Sequence, residues 1–147
     1  MDRNGANALI ERFIELWNAH DVEGIADLYA NSATVRDAAN PDKVASGRDG
    51  TIARTRMILD GFSDARLELL TRLTDGDLLA TKAIHRTHDG EFLGVPATGQ
   101  PTENIGASIL RVGSDGKIAT ETAYWDRASF LRQTGVLPAV AEGAASS

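Results

Sequence analysis

The periodicity of the sequence changes after Gly61, and this change is the strongest constraint on the fold. Before it, apolar residues recur at intervals of three and four, which is typical of amphipathic helices. After it, long strand candidates are separated by turn signals at 75–77, 89–90 and 114–116, each of which contains Asp followed by Gly. Helices followed by a meander of antiparallel strands predict an α+β fold with the helices packed on one face of the sheet.

The helical part and the strand part can be divided further. In the first helix Leu9, Phe13 and Trp17 share one face, and Asp21 is a candidate N-cap of the second. Helices are predicted at 6–18, from Asp21 through Tyr29, and at 49–60, with a brief strand at 33–37 and a loop before the third. Long strands are predicted at 66–73, 78–88, 101–112 and 117–125.

Composition excludes several classes of function. The net charge of -6 and the pI of about 5.0 would repel nucleic acid and anionic membranes, so we expect neither as a partner. The lack of cysteine excludes disulfides, thiolate metal sites and a Cys nucleophile. The N-terminus lacks the apolar core of a signal peptide and no run approaches a membrane span, so we expect a cytoplasmic protein. The length predicts one domain at 1–138, with a disordered tail at 139–147.

The segment Tyr124-Trp125-Asp126 combines a carboxylate with two of the few large aromatic residues. A carboxylate in an apolar pocket can have a shifted pKa, and we therefore predict Asp126 as an acid/base group. The alternative is a helix cap, because Asp126 precedes a short helix candidate at 127–133 that ends before Gly135.

Asp37 is a second candidate catalytic carboxylate, although an Asp at this point could instead start a turn. His85 and His88 fall on opposite faces of their strand by alternation, so at most one of them should reach a pocket. Each could equally be a surface histidine. No pair among the three histidines has the spacing of a metal site, and we predict no metal.

The loop at 91–100 contains two glycines, a proline and Phe92. It could cover a pocket or form a dimer contact, and composition does not choose between them. We predict that Phe92 forms a pocket wall with Trp17, Tyr124 and Trp125. Such an aromatic wall suits a flat, hydrophobic, polycyclic ligand.

Five motifs between residues 88 and 135 can be compared with known families. They are HDGEFLGVPATGQP at 88–101, ILRV at 109–112, DGKI at 115–118, Trp125-Asp126, and LRQTG at 131–135. In combination they resemble the SnoaL-like polyketide cyclase family, within the superfamily of nuclear transport factor 2 and ketosteroid isomerase. The resemblance extends over most of 6–137. It implies a cone-shaped α+β fold in which a curved sheet wraps a deep pocket closed by the N-terminal helices.

The resemblance also implies a reaction. Cyclases of this family catalyse a cofactor-free intramolecular aldol condensation that closes the last ring of an aromatic polyketide. Their acid/base aspartate corresponds to Asp126 in the Trp-Asp motif. A carboxylate in an apolar pocket can remove an activated proton next to carbonyl groups and return it to the forming alkoxide.

Three positions depart from the cyclase pattern. Ser108 stands where the cyclases carry a histidine, Gly106 where they carry a glutamine, and Trp17 where they carry a tyrosine. Some relatives are implicated in hydroxylating the anthracycline skeleton with a reductase partner, and the missing histidine keeps that alternative open.

A second resemblance, to the ketosteroid isomerases, is carried by DLYA at 27–30, ATVRD at 33–37 and Gly47. It makes Asp37 the counterpart of their general base. Phe13 and Ser108 replace the two oxyanion donors of those enzymes, which disfavours a steroid-type isomerase. A third hypothesis is a non-catalytic small-molecule binding protein, because this fold supports ligand-carrier roles as well. We expect at least a homodimer, or a tetramer, formed through the outer face of the sheet.

Overall fold

The computed structural model describes residues 1–138, so the predicted tail at 139–147 lies outside the described residues. The helices are α1 (Arg3–Asn18), α2 (Val22–Asp27), α3 (Gly47–Gly61) and α4 (Arg127–Gln133). The strands are β1 (Tyr29–Asp37), β2 (Val44–Ser46), β3 (Arg66–Asp75), β4 (Asp77–Thr87), β5 (Pro101–Val112) and β6 (Ile118–Trp125).

The six strands form one sheet in the order β2-β1-β6-β5-β4-β3. The long strands β3 to β6 form an antiparallel meander. Strand β1 pairs with β6 in parallel and with β2 antiparallel. The sheet is curved, with α1 packed against β3 and α3 against β1. This arrangement confirms the predicted α+β fold with a curved sheet closed by N-terminal helices.

Helix α1 is fixed at both ends. Asp2 caps its N-terminus by accepting a hydrogen bond from the backbone N–H of Gly5. At the other end the Asn18 side chain bonds both backbone groups of Leu67, at 3.0 and 2.7 Å. These contacts tie the end of α1 to the start of β3, and they hold the buried face of α1 over the sheet.

Two predicted boundaries before Gly61 are wrong. The second helix ends at Asp27, and Tyr29 begins a strand that is longer than the one predicted at 33–37. Pairing with β6 overrides the helical spacing here, because Tyr29 lies opposite Ile118 in the sheet and its hydroxyl bonds a buried group on β6. The predicted loop also contains the short strand β2, which extends the sheet beside β1.

The outer face of the sheet exposes Ile105 and Ile109 on β5. The homodimer expected through this face stays a prediction. No helix within residues 1–138 is long and apolar enough to cross a membrane.

Candidate active site

A cavity opens between the helices and the concave face of the sheet. Its walls are mainly apolar and aromatic. They include Phe13, Trp17, Met57, Ile58, Leu67, Ile84, Phe92, Leu93 and Trp125. The space inside is about 110 Å³, and for comparison an apolar cavity of about 150 Å³ takes up benzene. This space is therefore smaller than a cavity that takes up benzene, and a polycyclic ligand must extend through the open mouth.

A second cavity of about 370 Å³ adjoins the first. Asp37, Arg54, Met57, Leu93 and Trp125 line both. A flat ligand that is longer than one ring can therefore lie across this boundary, where Asp37 is the acidic residue.

The floor of the first cavity carries a buried polar network from four neighbouring strands. Lys82 on β4 donates to the hydroxyl of Ser108 on β5 at 2.6 Å, and Ser108 donates to Glu121 on β6 at 2.9 Å. The hydroxyl of Tyr29 donates to the other carboxylate oxygen of Glu121. Lys82, Ser108 and Glu121 are 8%, 1% and 3% exposed. Such burial requires each polar group to have a partner, and this network supplies one to all four.

Burial sets the electrostatics of the network. It lowers the pKa of Lys82, an effect that the nearby Glu121 carboxylate opposes. It raises the pKa of Tyr29 well above 10.0, and Glu121 adds to that increase. Lys82 is thus an amino group with weakened affinity for its proton at the base of an apolar cavity, linked to a buried carboxylate through Ser108.

Asp37 places a second carboxylate at the cavity wall. It ends β1, and the parallel pairing of β1 with β6 brings it beside Trp125. The indole N–H of Trp125 donates to both carboxylate oxygens at 2.9 Å, and the backbone N–H of Ala39 donates to one of them at 3.0 Å. Because Asp37 is half-buried and a carboxylate can accept about four hydrogen bonds, it keeps capacity for a proton or a ligand.

Arg86 on β4 is a further charged group of this cavity wall, which also includes the half-buried Arg54 on α3. It is 8% exposed, and its guanidinium carbon lies 3.8 Å from the ring centroid of Phe62. Burial lowers its pKa to about 10, so it remains positively charged at neutral pH.

The structure places Asp126 outside both cavities. Its exposed carboxylate accepts a hydrogen bond from the backbone N–H of Ser129 at 2.9 Å and caps α4. The side chain of Asn104 fixes its backbone by bonding both the N–H and the carbonyl. The cap alternative describes this geometry. The catalytic role expected for Asp126 is not supported, because its side chain lines neither cavity although Trp125 and Arg127 line the second.

Replacement of Asp126 by Ala should therefore act on stability. Loss of the cap is expected to lower the free energy of unfolding by about 1 kcal/mol, as for other N-caps. Urea denaturation of the two proteins measures this difference. A destabilisation close to zero would contradict the capping role.

The other predicted site residues divide into two groups. Trp17, Phe92, Ser108, Tyr124 and Trp125 line the first cavity. His85 lies on the outer face, 3.3 Å from the carboxylate of Glu68. His88 is fully buried and contacts Thr98 and Phe130 beneath the cavity instead of lining it.

Lys82, Arg86 and Glu121 are charged residues of the cavity that were not predicted from the sequence. One signal could have indicated the first two. They alternate with Ile84 and follow Leu78 and Ala80 on the same face of β4. Charged residues that continue an apolar face of a strand point toward the interior, where they need a partner.

Solved structures with the same fold include AclR from Streptomyces galilaeus, a candidate hydroxylase, with a TM-score of 0.83 at 24% identity over 99% of this chain and 90% of that one. A Catenulispora acidiphila protein with a ketosteroid isomerase-like fold has a TM-score of 0.74 at 15% identity over 86% and 92%. IdmH from Streptomyces antibioticus, a candidate polyketide cyclase, has a TM-score of 0.74 at 25% identity over 88% and 98%. No curated protein matches the chain.

These likenesses and the lined cavity define a protein with the ketosteroid isomerase-like fold. The sequence profile of the SnoaL-like polyketide cyclase family matches residues 7–134. The chain belongs to that family, as its motifs predicted.

Proposed function

We propose that this protein is a cofactor-free acid/base enzyme that enolises a flat, polycyclic, polyketide-like ketone and closes a ring by intramolecular aldol addition. One observation carries the proposal. The half-buried carboxylate of Asp37 and the buried ammonium of Lys82 line the same apolar, aromatic cavity. Membership of a polyketide cyclase family and the likeness to IdmH support the substrate class.

Asp37 is the proposed general base. Its carboxylate takes the activated proton from the carbon next to a carbonyl group, and the electron pair moves onto the carbonyl oxygen as an enolate. The enolate carbon then attacks a second carbonyl of the same molecule, and the new carbon–carbon bond closes the ring. Protonated Asp37 returns its proton to the resulting alkoxide, so the base is regenerated and no cofactor is consumed.

Lys82 is the proposed donor to the enolate oxygen. An N–H group that is fixed in a cavity stabilises developing negative charge without reorganisation, and such donors contribute about 10²–10³-fold to kcat. Ser108 and Glu121 hold the ammonium in place through hydrogen bonds of 2.6 and 2.9 Å. The serine at the cyclases' histidine position would then serve as a link between Lys82 and Glu121.

Aldol closure can be recognised from the mass of the product formed without oxygen, even when the natural substrate is not identified. Under argon, an aromatic polyketide with an unclosed terminal ring should be converted to a cyclic isomer of unchanged mass, or to that isomer less one water. Mass spectrometry and NMR of the product measure the result. A strict requirement for oxygen would contradict ring closure as the reaction.

Hydroxylation with a reductase partner is the second candidate. Ser108 at the cyclase histidine position favours it, as does the likeness in fold to AclR. This reaction would insert one oxygen atom and consume molecular oxygen. An oxygen electrode therefore separates the two candidates on one substrate, because aldol closure leaves the oxygen concentration unchanged.

A further inference from the structure

The cavity contains a buried cation that has no anion beside it. Arg86 is 8% exposed, its Nε is buried without a hydrogen-bond partner, and no Asp or Glu within 1–138 forms an ion pair with its guanidinium. The arginines of this part of the chain that do form ion pairs are more exposed. They are Arg12, Arg48, Arg72 and Arg111.

Burial of a charge without a counter-charge opposes folding, and proteins normally pair buried charges or use them. Burial alone lowers the pKa of Arg86, and no carboxylate offsets this effect. An unpaired buried charge at a cavity wall destabilises the fold. Such a charge is typical of a functional group whose counter-charge is supplied by the ligand.

Aromatic rings fix the direction of the guanidinium. Its central carbon lies 3.8 Å from the ring centroid of Phe62, and 5.5 and 5.8 Å from those of Phe92 and Trp125. The guanidinium lies over the ring of Phe62, and no hydrogen bond within residues 1–138 uses its N–H donors, so these remain available to a ligand. An arginine held in this way presents a fork that matches the two oxygens of a carboxylate.

We propose that Arg86 binds a carboxylate of the ligand, so that the substrate is an aromatic keto acid. Its description as a substrate rests on the function proposed above. Charge also favours this orientation, because Asp37 repels a carboxylate from its own part of the cavity. Trp125 contacts Arg86 on one side and bonds Asp37 through its indole nitrogen. A ring system anchored at Arg86 therefore extends along Trp125 toward the proposed base.

The test compares two probes of nearly equal shape, 2-naphthoate and 2-naphthamide, by isothermal titration calorimetry at pH 7. The wild-type protein should bind the carboxylate at least tenfold more tightly than the amide. Equal affinities, a preference for the amide, or no binding of either at millimolar concentration would overturn the proposal.

Variants identify the residue responsible. Arg86→Met keeps the apolar stem on Phe62 and removes the charge, so it should abolish the preference for the carboxylate. Its melting temperature should equal or exceed that of the wild type, a result that a purely structural Arg86 would not give. Arg111→Met is the matched control, since Arg111 is exposed and pairs with Asp77, and it should keep the preference.

Retention of the preference in Arg86→Met would overturn the assignment. If that variant does not fold, a crystal structure of the wild type with 2-naphthoate decides, and a carboxylate bound away from Arg86 would overturn it. Asp37→Asn separates this inference from the proposed reaction, because it should lose turnover and still prefer the carboxylate. Wild-type turnover without any carboxylate preference would refute the inference and leave the reaction standing.

Discussion

Replacement of Asp37 by Asn is expected to lower kcat for ring closure by about 10²–10⁴-fold, the usual contribution of a general base. An amide cannot accept the proton from carbon, although its oxygen can still accept the hydrogen bond that Trp125 donates. The melting temperature should change little, because Asp37 is half-buried and its hydrogen bonds are largely reproducible by Asn. Steady-state kinetics and thermal unfolding of the same preparation measure both effects.

Trp125→Phe is the matched control for Asp37→Asn. It keeps an aromatic wall but removes the indole N–H that holds both oxygens of Asp37. We expect a smaller loss of kcat, since the base is retained and only its position is loosened. Wild-type kcat in Asp37→Asn would exclude Asp37 as the base.

Replacement of Glu121 by Gln is expected to lower the free energy of unfolding by at least about 1–3 kcal/mol, the usual cost of leaving a buried hydrogen-bonding group unsatisfied, and the loss of a negative charge near Lys82 adds to it. The shape of the side chain is conserved, but the amide nitrogen cannot accept a hydrogen bond, so the effect combines the loss of the charge with the loss of an acceptor for Tyr29 or Ser108. Lys82 would remain at 8% exposure with Ser108 but without the carboxylate. Urea denaturation at neutral pH measures the loss.

The pKa of Lys82 determines the direction in which the free energy of unfolding changes with pH. Its pKa in the folded protein is below the usual 10.5, so between these two values the unfolded chain binds more protons than the folded one. The free energy of unfolding therefore rises with pH through that window. Without Glu121 the folded pKa falls further, and the destabilisation by Glu121→Gln should shrink as the pH approaches 10.5.

The double variant Lys82→Met/Glu121→Leu completes the cycle. It replaces the charges by apolar side chains, so it should be less destabilised than the sum of the single variants Lys82→Met and Glu121→Leu. Strictly additive losses would show that Lys82 and Glu121 are not coupled in the folded protein.

The strand order along the chain was predictable because its signals are local. Gly76 and Gly116 adopt φ of 76° and 77° in the turns after β3 and β5, a conformation that glycine reaches without steric cost. The same reason explains why α4 was predicted with its bounds and with its cap at Asp126. A cap, a short helix and Gly135 at φ 82° are all features of neighbouring residues.

Local sequence signals could not predict which of two carboxylates, Asp37 or Asp126, lines the cavity. Asp126 is adjacent to Trp125 in sequence, yet the capping bond turns its side chain away from the cavities. Asp37 is 88 residues from Trp125, and only the parallel pairing of β1 with β6 brings them together. The five motifs between residues 88 and 135 identified the family correctly, but the direction of a side chain depends on long-range pairing.

Local sequence signals could not predict which charged residues of β4 enter the cavity either. Alternation along β4 puts Lys82 and Arg86 on one face and His85 on the other. Which face is concave depends on the curvature and the order of the strands, and neither can be read from one strand. Ser108 was singled out through the resemblance, and its link to Lys82 and Glu121 required the register of three strands.

Deuterium exchange into β-tetralone, a bicyclic ketone with acidic protons next to its carbonyl group, tests the central claim most directly. NMR in D₂O would follow the exchange with the wild type, Asp37→Asn and Asp126→Asn, the last of which preserves a capping side chain. If the cavity carboxylate is the base, the wild type and Asp126→Asn should accelerate exchange equally, and Asp37→Asn should lose at least about 10²-fold. Loss of exchange in Asp126→Asn with full activity in Asp37→Asn would contradict the account.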